Sequence, residues 1–277
     1  MFVRVSDLKS TSKIKTGILT LDEQCGGLSR SSFTVLSGEF GAGKTALGYQ
    51  ILAHVLMEGE VAIIDTEGTF NLRRFAEIAK AQLEAEGVQF EDALLDKVHY
   101  ALTPTLEELI GFKGFEGKKP VFEGRGVFEE LKKRKFAAIL IDSLGVIREE
   151  FPGRELLYAR TKVMSRLVRE FARLRAKGTT IIATNHIYEG IEGKEIYGGS
   201  YIKHFATYHI LIEKKGGIKR KVVTLDFPEC PKMEITTYLC RAGLVDALEA
   251  EEEEVEECCG PFVKKVMHPR VCKKAKD

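Results

Sequence analysis

Between Phe33 and Met57 the sequence changes character twice. An apolar run, Phe33 to Ser37, stops at Gly38 and passes into Gly38-Glu39-Phe40-Gly41-Ala42-Gly43-Lys44-Thr45. The apolar spacing then becomes helical from Thr45 to Met57. Glycine, four residues, then Gly-Lys-Thr is the spacing of a phosphate-binding loop between a strand and a helix. Glycines let backbone N–H groups converge on phosphate oxygens at angles a Cβ would obstruct. The helix turns the positive end of its dipole to the same anion. Lys44 supplies a cation for the β- and γ-phosphates and Thr45 a hydroxyl for Mg²⁺, so the segment Gly38 to Ala46 is the predicted site of ATP and Mg²⁺.

The rest of the chain repeats the alternation of strand and helix. Glu60–Asp65, Val98–Leu102, Phe136–Asp142 and Thr179–Thr184 read as strands, the last two without polar alternation, as in strands covered on both faces. Phe70–Gly87 and Glu155–Lys177 read as helices. In the second, Leu156, Val163, Leu167, Phe171 and Leu174 form one apolar stripe. Tyr208–Glu213, Lys219–Asp226 and Met233–Tyr238 read as successive strands, with a hairpin turn at Gly216-Gly217. The predicted class is α/β: a twisted, mostly parallel central sheet flanked by helices, with an antiparallel extension toward the C-terminus. Gly111–Gly126, with five glycines, reads as a surface loop. Glu249–Glu257 holds seven glutamates in nine residues and precedes a basic end, so the expected division is a domain over 1–248 and a flexible tail over 249–277.

Two carboxylates complete the predicted chemistry. Asp142 ends an apolar strand, where a doubly wound sheet places its ligands, and is expected to hold Mg²⁺ through water. Glu67 follows the second strand and would share that edge if the sheet is parallel, within reach of an attacking water.

The motifs, taken in order, resemble the RecA/RadA recombinase superfamily, and in particular an archaeal RadA paralog of the RadB kind. The phosphate loop resembles that of RadA recombinases. Ile64-Asp65-Thr66-Glu67-Gly68-Thr69-Phe70 resembles the segment with the catalytic glutamate. Ile141-Asp142-Ser143-Leu144, with Arg148, Glu150-Phe151 and Gly153-Arg154, resembles the Walker B strand and first DNA-binding loop. Thr184-Asn185-His186 resembles the family's Thr-Asn-Gln. Gly198-Gly199 and Asp226-Phe227-Pro228 resemble its later Gly-Gly and ATP-cap segments. Order and spacing hold from about Thr16 to Val245.

The resemblance implies a RecA-like P-loop NTPase fold and an ATPase accessory to homologous recombination or DNA repair. It implies Glu67 as the residue that activates water, Arg74 against adenine, and Arg148, Arg154 and Arg160 as DNA contacts. The implied partners are single-stranded DNA and a RadA-type recombinase, with Asp226 and Pro228 reaching a neighbouring subunit's nucleotide. His186 stands where the family has its γ-phosphate-sensing glutamine; it retains a hydrogen-bond donor but adds a charge that changes near neutral pH. The second loop, Ile187–Tyr197, is short and carries Glu189, Glu192 and Glu195 against Lys194, a poor surface for phosphates. The family's helix-hairpin-helix domain and Phe-x-x-Ala polymerisation motif are not found, so a long homofilament is not expected. A KaiC-like signalling ATPase independent of DNA and a nucleotide-binding scaffold for a recombinase share the same core and remain open readings.

The remaining signals are plainer. The formal net charge of +1 excludes a global basic field, leaving any DNA binding to local patches. Lys162, Arg166, Arg169, Arg173 and Lys177 read as the wet face of a helix, and Lys113, Lys118, Lys119 and Arg125 as solvated loop charge. No apolar run reaches membrane-spanning length and no signal-peptide pattern opens the chain, so a cytoplasmic location is expected. The six cysteines are expected as free thiols, and Cys258, Cys259, His268 and Cys272 lack zinc-site spacing.

Overall fold

The computed structural model describes residues 13–117, 119–124, 126–151, 156–190, 193–196 and 199–246. In chain order the elements are α1 (Leu19–Cys25), β1 (Phe33–Gly38), α2 (Lys44–Leu56), β2 (Val61–Asp65), α3 (Leu72–Ala85), a 3₁₀ turn (Asp92–Lys97), β3 (Val98–Leu102), α4 (Leu106–Ile110), β4 (Phe112–Glu116), β5 (Lys119–Phe122), α5 (Val127–Leu131), β6 (Ala138–Asp142), α6 (Val146–Glu150), α7 (Leu157–Ala176), β7 (Thr180–Gly190), β8 (Gly193–Ile196), α8 (Gly199–Phe205), β9 (Tyr208–Lys214), β10 (Lys219–Asp226), β11 (Glu234–Cys240) and β12 (Gly243–Val245).

One sheet dominates, in the order β12-β11-β10-β9-β1-β7-β6-β2-β3, with β8 paired to β7. From β9 through β1, β7, β6 and β2 to β3 every pairing is parallel. From β9 to β12 the pairings are antiparallel. The expected α/β architecture is therefore present, antiparallel extension included. Strands β1, β2 and β6 are buried along their whole length because helices cover both faces. On one face Leu36, Ile63 and Leu140 pack under α2 and α3 with Leu47, Ile51 and Phe75. On the other, Val35, Ile64, Ile139 and Ile141 pack under α4, α5 and α7 with Leu109, Val163, Leu167 and Phe171. Each such side chain contributes ~1.5–3 kcal/mol.

Helix α2 is buried almost all round, since β12 closes over it as well. Gln50 on α2 makes that closure specific: its amide accepts from Leu244 N at 2.7 Å and donates to Leu244 O at 2.9 Å. The short edge strand thus satisfies its backbone on a helix side chain.

Three regions depart from the sequence reading. Gly111–Gly126 is not a plain loop, because β4 and β5 pair within it. Phe112 holds the hairpin down, with ring centroids 5.7 Å from Phe122 and 5.4 Å from Phe151. The second-loop segment is likewise a hairpin: β7 continues six residues past Thr184 and pairs with β8, Ile187 opposite Ile196. Cys25 and Cys230 are joined in a disulfide, contrary to the expectation of free thiols. They are 205 residues apart in sequence, so no spacing announces the pair, yet the fold brings their Cα atoms to 5.6 Å. The tail at 249–277, its cysteines and the boundary at 248 lie outside the described residues. Among the described residues no helix is long and apolar enough to cross a membrane.

His209, on β9, is 2% exposed and lies 2.8 Å from the Ser37 hydroxyl through Nε2. Burial pulls its pKa down from 6.5 to about 4. A depressed histidine favours folding while both states are neutral; that contribution is lost as pH falls from about 6.5 through about 4, ~3 kcal/mol in full. Denaturant titrations at stepped pH should show this loss in the wild type. His209→Gln should lack that part of the pH dependence, and parallel curves for the two proteins would refute the assignment.

Candidate active site

Five parallel strand ends converge at one edge of the sheet. From β1 the chain enters the phosphate loop. A Cβ on Gly38 would lie 2.6 Å from the Ile212 carbonyl oxygen of β9, so only glycine fits there. Gly43 caps α2 in the left-handed region, φ 107°, which swings the chain into the helix. Lys44 is 6% exposed, and its ammonium donates to Gly38 O at 3.1 Å and Glu39 O at 2.9 Å. Burial lowers its pKa, opposed by the nearby charges of Asp142 and Glu67. Phe40 at the loop tip is 80% exposed.

Asp142 ends β6 beneath this loop. Its Oδ2 accepts from the Thr45 hydroxyl at 2.7 Å, and its Oδ1 accepts from the Thr184 hydroxyl of β7. Burial pushes the carboxyl up, while the two hydroxyl bonds pull it down. A threonine hydroxyl and a carboxylate in contact are hard oxygen donors of the kind Mg²⁺ takes, beside a loop shaped for phosphate. The residues present therefore fit the magnesium–nucleotide pair that the sequence implies.

Asp65, 1% exposed at the end of β2, organises the next loop. Its Oδ1 accepts from the amides of Glu67 at 3.0 Å and Gly68 at 2.8 Å, and its Oδ2 from that of Phe70 at 2.8 Å. Thr66 ties the same loop to β6, donating its amide to Asp142 O at 2.8 Å and its hydroxyl to Ser143 O at 2.9 Å. The Asp142–Ser143 peptide at this junction is cis. Glu67 is thereby set beside Ser143 and the end of β7. Its Oε1 accepts from the Ser143 hydroxyl at 2.5 Å and lies 3.0 Å from His186 Nε2. The His186 bond, then that of Ser143, holds this carboxyl below the usual range against its partial burial.

The structure brings Lys44, Thr45, Asp142, Glu67 and His186 into one cluster. Arg74 is bonded elsewhere, its amide capped by Asn71 at 3.0 Å. Its guanidinium donates to Arg241 O at 2.7 Å and Cys240 O at 2.5 Å. Arg148, on α6, lies 4.7 Å over the Tyr188 ring of β7. Arg160 lies on α7, and Arg154 is outside the described residues. Arg166, the exposed Arg173 and Lys132 form ion pairs with the buried Glu170, at 3.1, 2.7 and 3.0 Å. The sequence reading gives Asp65, Ser143 and Thr184 no role, although each ends or follows an apolar strand run and each lies within a segment that carries the family resemblance.

With this geometry in view, comparison with known proteins decides the family. The Rad51 family model matches residues 8–247, most of the chain. The chain belongs to the Rad51 family. Among its Rad51-type relatives is a protein of Glycine max named as a meiotic recombination protein DMC1 homolog. The two are 27% identical over 256 residues, covering 86% of this chain and 70% of that protein. The Rad51 family lies in the RecA/RadA superfamily, whose members are ATPases that use ATP and Mg²⁺. The Rad51 match spans every strand that delivers a residue to the cluster.

Asp65 offers a test of how the cluster is held. Asp65→Ala removes the acceptor of three amides, so the variant should lose roughly 2 kcal/mol or more in denaturant unfolding. A loss under about 0.5 kcal/mol would show that the Glu67 loop does not rely on Asp65.

Proposed function

We propose that this chain hydrolyses ATP with Mg²⁺ at the Lys44–Asp142–Glu67 cluster, as an accessory to homologous recombination or DNA repair. The observation that carries the reading is the state of Glu67. One carboxylate oxygen, Oε1, is pinned by Ser143 and His186, while Oε2 has no donor among the described residues. A carboxylate so fixed keeps one oxygen to accept the proton of an attacking water, and its lowered pKa keeps it ionised.

The other roles follow from position. The amides of the phosphate loop and Ala46 hold the polyphosphate, and Lys44 moves from the Gly38 and Glu39 carbonyls to the β- and γ-phosphates. Thr45 is assigned as the direct ligand of Mg²⁺ and Asp142 as its partner through water. When bound, that ion neutralises triphosphate charge and stabilises the charge that builds on the oxygens during in-line displacement. Arg74 is assigned to adenine, a planar cation suited to stacking. His186, bonded to Glu67, links the water-activating carboxylate to the β7–β8 hairpin.

Single-stranded DNA and a RadA-type recombinase are the proposed partners, the DNA contacts at Arg148, Arg154 and Arg160. The Arg148–Tyr188 stack at the base of the hairpin offers a base-stacking surface beside a cation. The accessory role is supported by the second-loop segment, which is paired as a hairpin and carries Glu189 and Glu195 against Lys194. The proposed ATPase domain runs to residue 248, with 249–277 as a tail, and the proposed location is the cytoplasm.

Turnover of ATP, with and without single-stranded DNA, tests the reading. Glu67→Gln should bind nucleotide within about threefold of wild type yet turn over roughly 100-fold or more slowly. His186→Ala should lower kcat with KM little changed, and chelating Mg²⁺ should abolish turnover. Equal rates for wild type and Glu67→Gln would reject Glu67 as the base. Turnover indifferent to DNA would favour the signalling reading.

A further inference from the structure

The β9–β10 hairpin brings two more cations against the phosphate loop. Strand β9 runs parallel to β1 with Ile212 opposite Gly38, so residues beyond Ile212 emerge at the same sheet edge as the loop. Lys214 ends β9, and its ammonium nitrogen lies 3.4 Å from where a Cβ on Gly41 would be. Opposite it in the antiparallel ladder is Arg220. Arg220 is 7% exposed and donates through Nε to Ala42 O at 3.2 Å and through Nη2 toward Gly41 O at 3.4 Å. Its Nη1 donates to Gly217 O at 2.7 Å and Lys219 O at 2.9 Å. The guanidinium therefore joins the hairpin turn to the outer carbonyls of the loop.

Lys214 has no such employment. It is exposed, and among the described residues no carboxylate lies within ion-pair distance of it; its neighbour Lys215 takes Glu213, at 3.0 Å. Two like charges opposite one another on a strand pair are unfavourable unless an anion joins them. Lys44 is a third cation close by, and the charge of Lys214 works against that of Lys44. Three cations thus crowd Gly38–Lys44. Of these Arg220 and Lys44 are bonded to loop carbonyls, and among the described residues Lys214 is not, so it can meet a ligand without giving up a bond.

We propose that Lys214 is a second cation of the nucleotide site, contacting the polyphosphate of a nucleoside triphosphate beside Gly41. The assignment rests on the nucleotide reading above and extends the site from the loop to the β9–β10 hairpin.

The test is equilibrium binding of a fluorescent methylanthraniloyl-ATP with Mg²⁺ over a salt series, with wild type, Lys214→Gln, Lys214→Arg and Lys44→Ala. Loss of one charge-assisted contact predicts about tenfold weaker binding for Lys214→Gln and a shallower dependence on salt. Lys214→Arg should stay within about threefold of wild type, and the unliganded thermal midpoint of Lys214→Gln should be unchanged. The proposal is overturned if Lys214→Gln binds as wild type does, with the same salt slope, while Lys44→Ala is strongly weakened. If wild type does not bind the probe, or Lys44→Ala binds it equally well, the nucleotide reading itself falls and takes this assignment with it.

Discussion

The buried carboxylate of Asp142 joins three elements that are distant in sequence. It takes the hydroxyl of Thr45 at the start of α2 and that of Thr184 on β7, while its own strand, β6, lies between β7 and β2. A carboxylate 7% exposed is costly to bury unless hydrogen bonds satisfy it. Those bonds fix the first turn of α2 over the carboxyl edge of the sheet. From that one constraint the loop ahead of α2, the Glu67 segment after β2 and the end of β7 all face a common space.

The chemistry of the site divides along the same lines. Groups near the phosphate loop are cationic or amide, suited to holding anion charge. Groups on the β2, β6 and β7 side are carboxylates and hydroxyls, suited to a divalent cation and to proton transfer. His186 sits where these meet the β7–β8 hairpin. A side chain 3.0 Å from Glu67 through its ring nitrogen is carried on the strand that becomes this hairpin. A glutamine at that position could make the same bond without the capacity to change charge.

How much of this was readable depended on whether the signal was local. The phosphate loop was legible because its chemistry is contiguous, and Asp142 because the apolar run Phe136–Ile141 ends on it. The contact between Glu67 and His186 was not, because it crosses 119 residues and requires β2, β6 and β7 to lie side by side. Asp65 reads as one more strand-end acid until the amides it collects are seen. The β4–β5 hairpin was hidden by its glycines, since the Phe112–Phe151 contact that stabilises it lies outside the segment. The Cys25–Cys230 pairing and the approach of Lys214 to Gly41 are products of strand order and leave no mark in any short window.

The position of a bound triphosphate decides this assignment of roles. A crystal structure with Mg²⁺ and a non-hydrolysable ATP analogue measures this directly. The phosphates should lie within hydrogen-bond distance of the amides of residues 41–45. The metal should touch the Thr45 hydroxyl, and a water should stand between Glu67 and the terminal phosphate. An analogue bound away from the carboxyl edge of β1, or absent at saturating concentration, would contradict it.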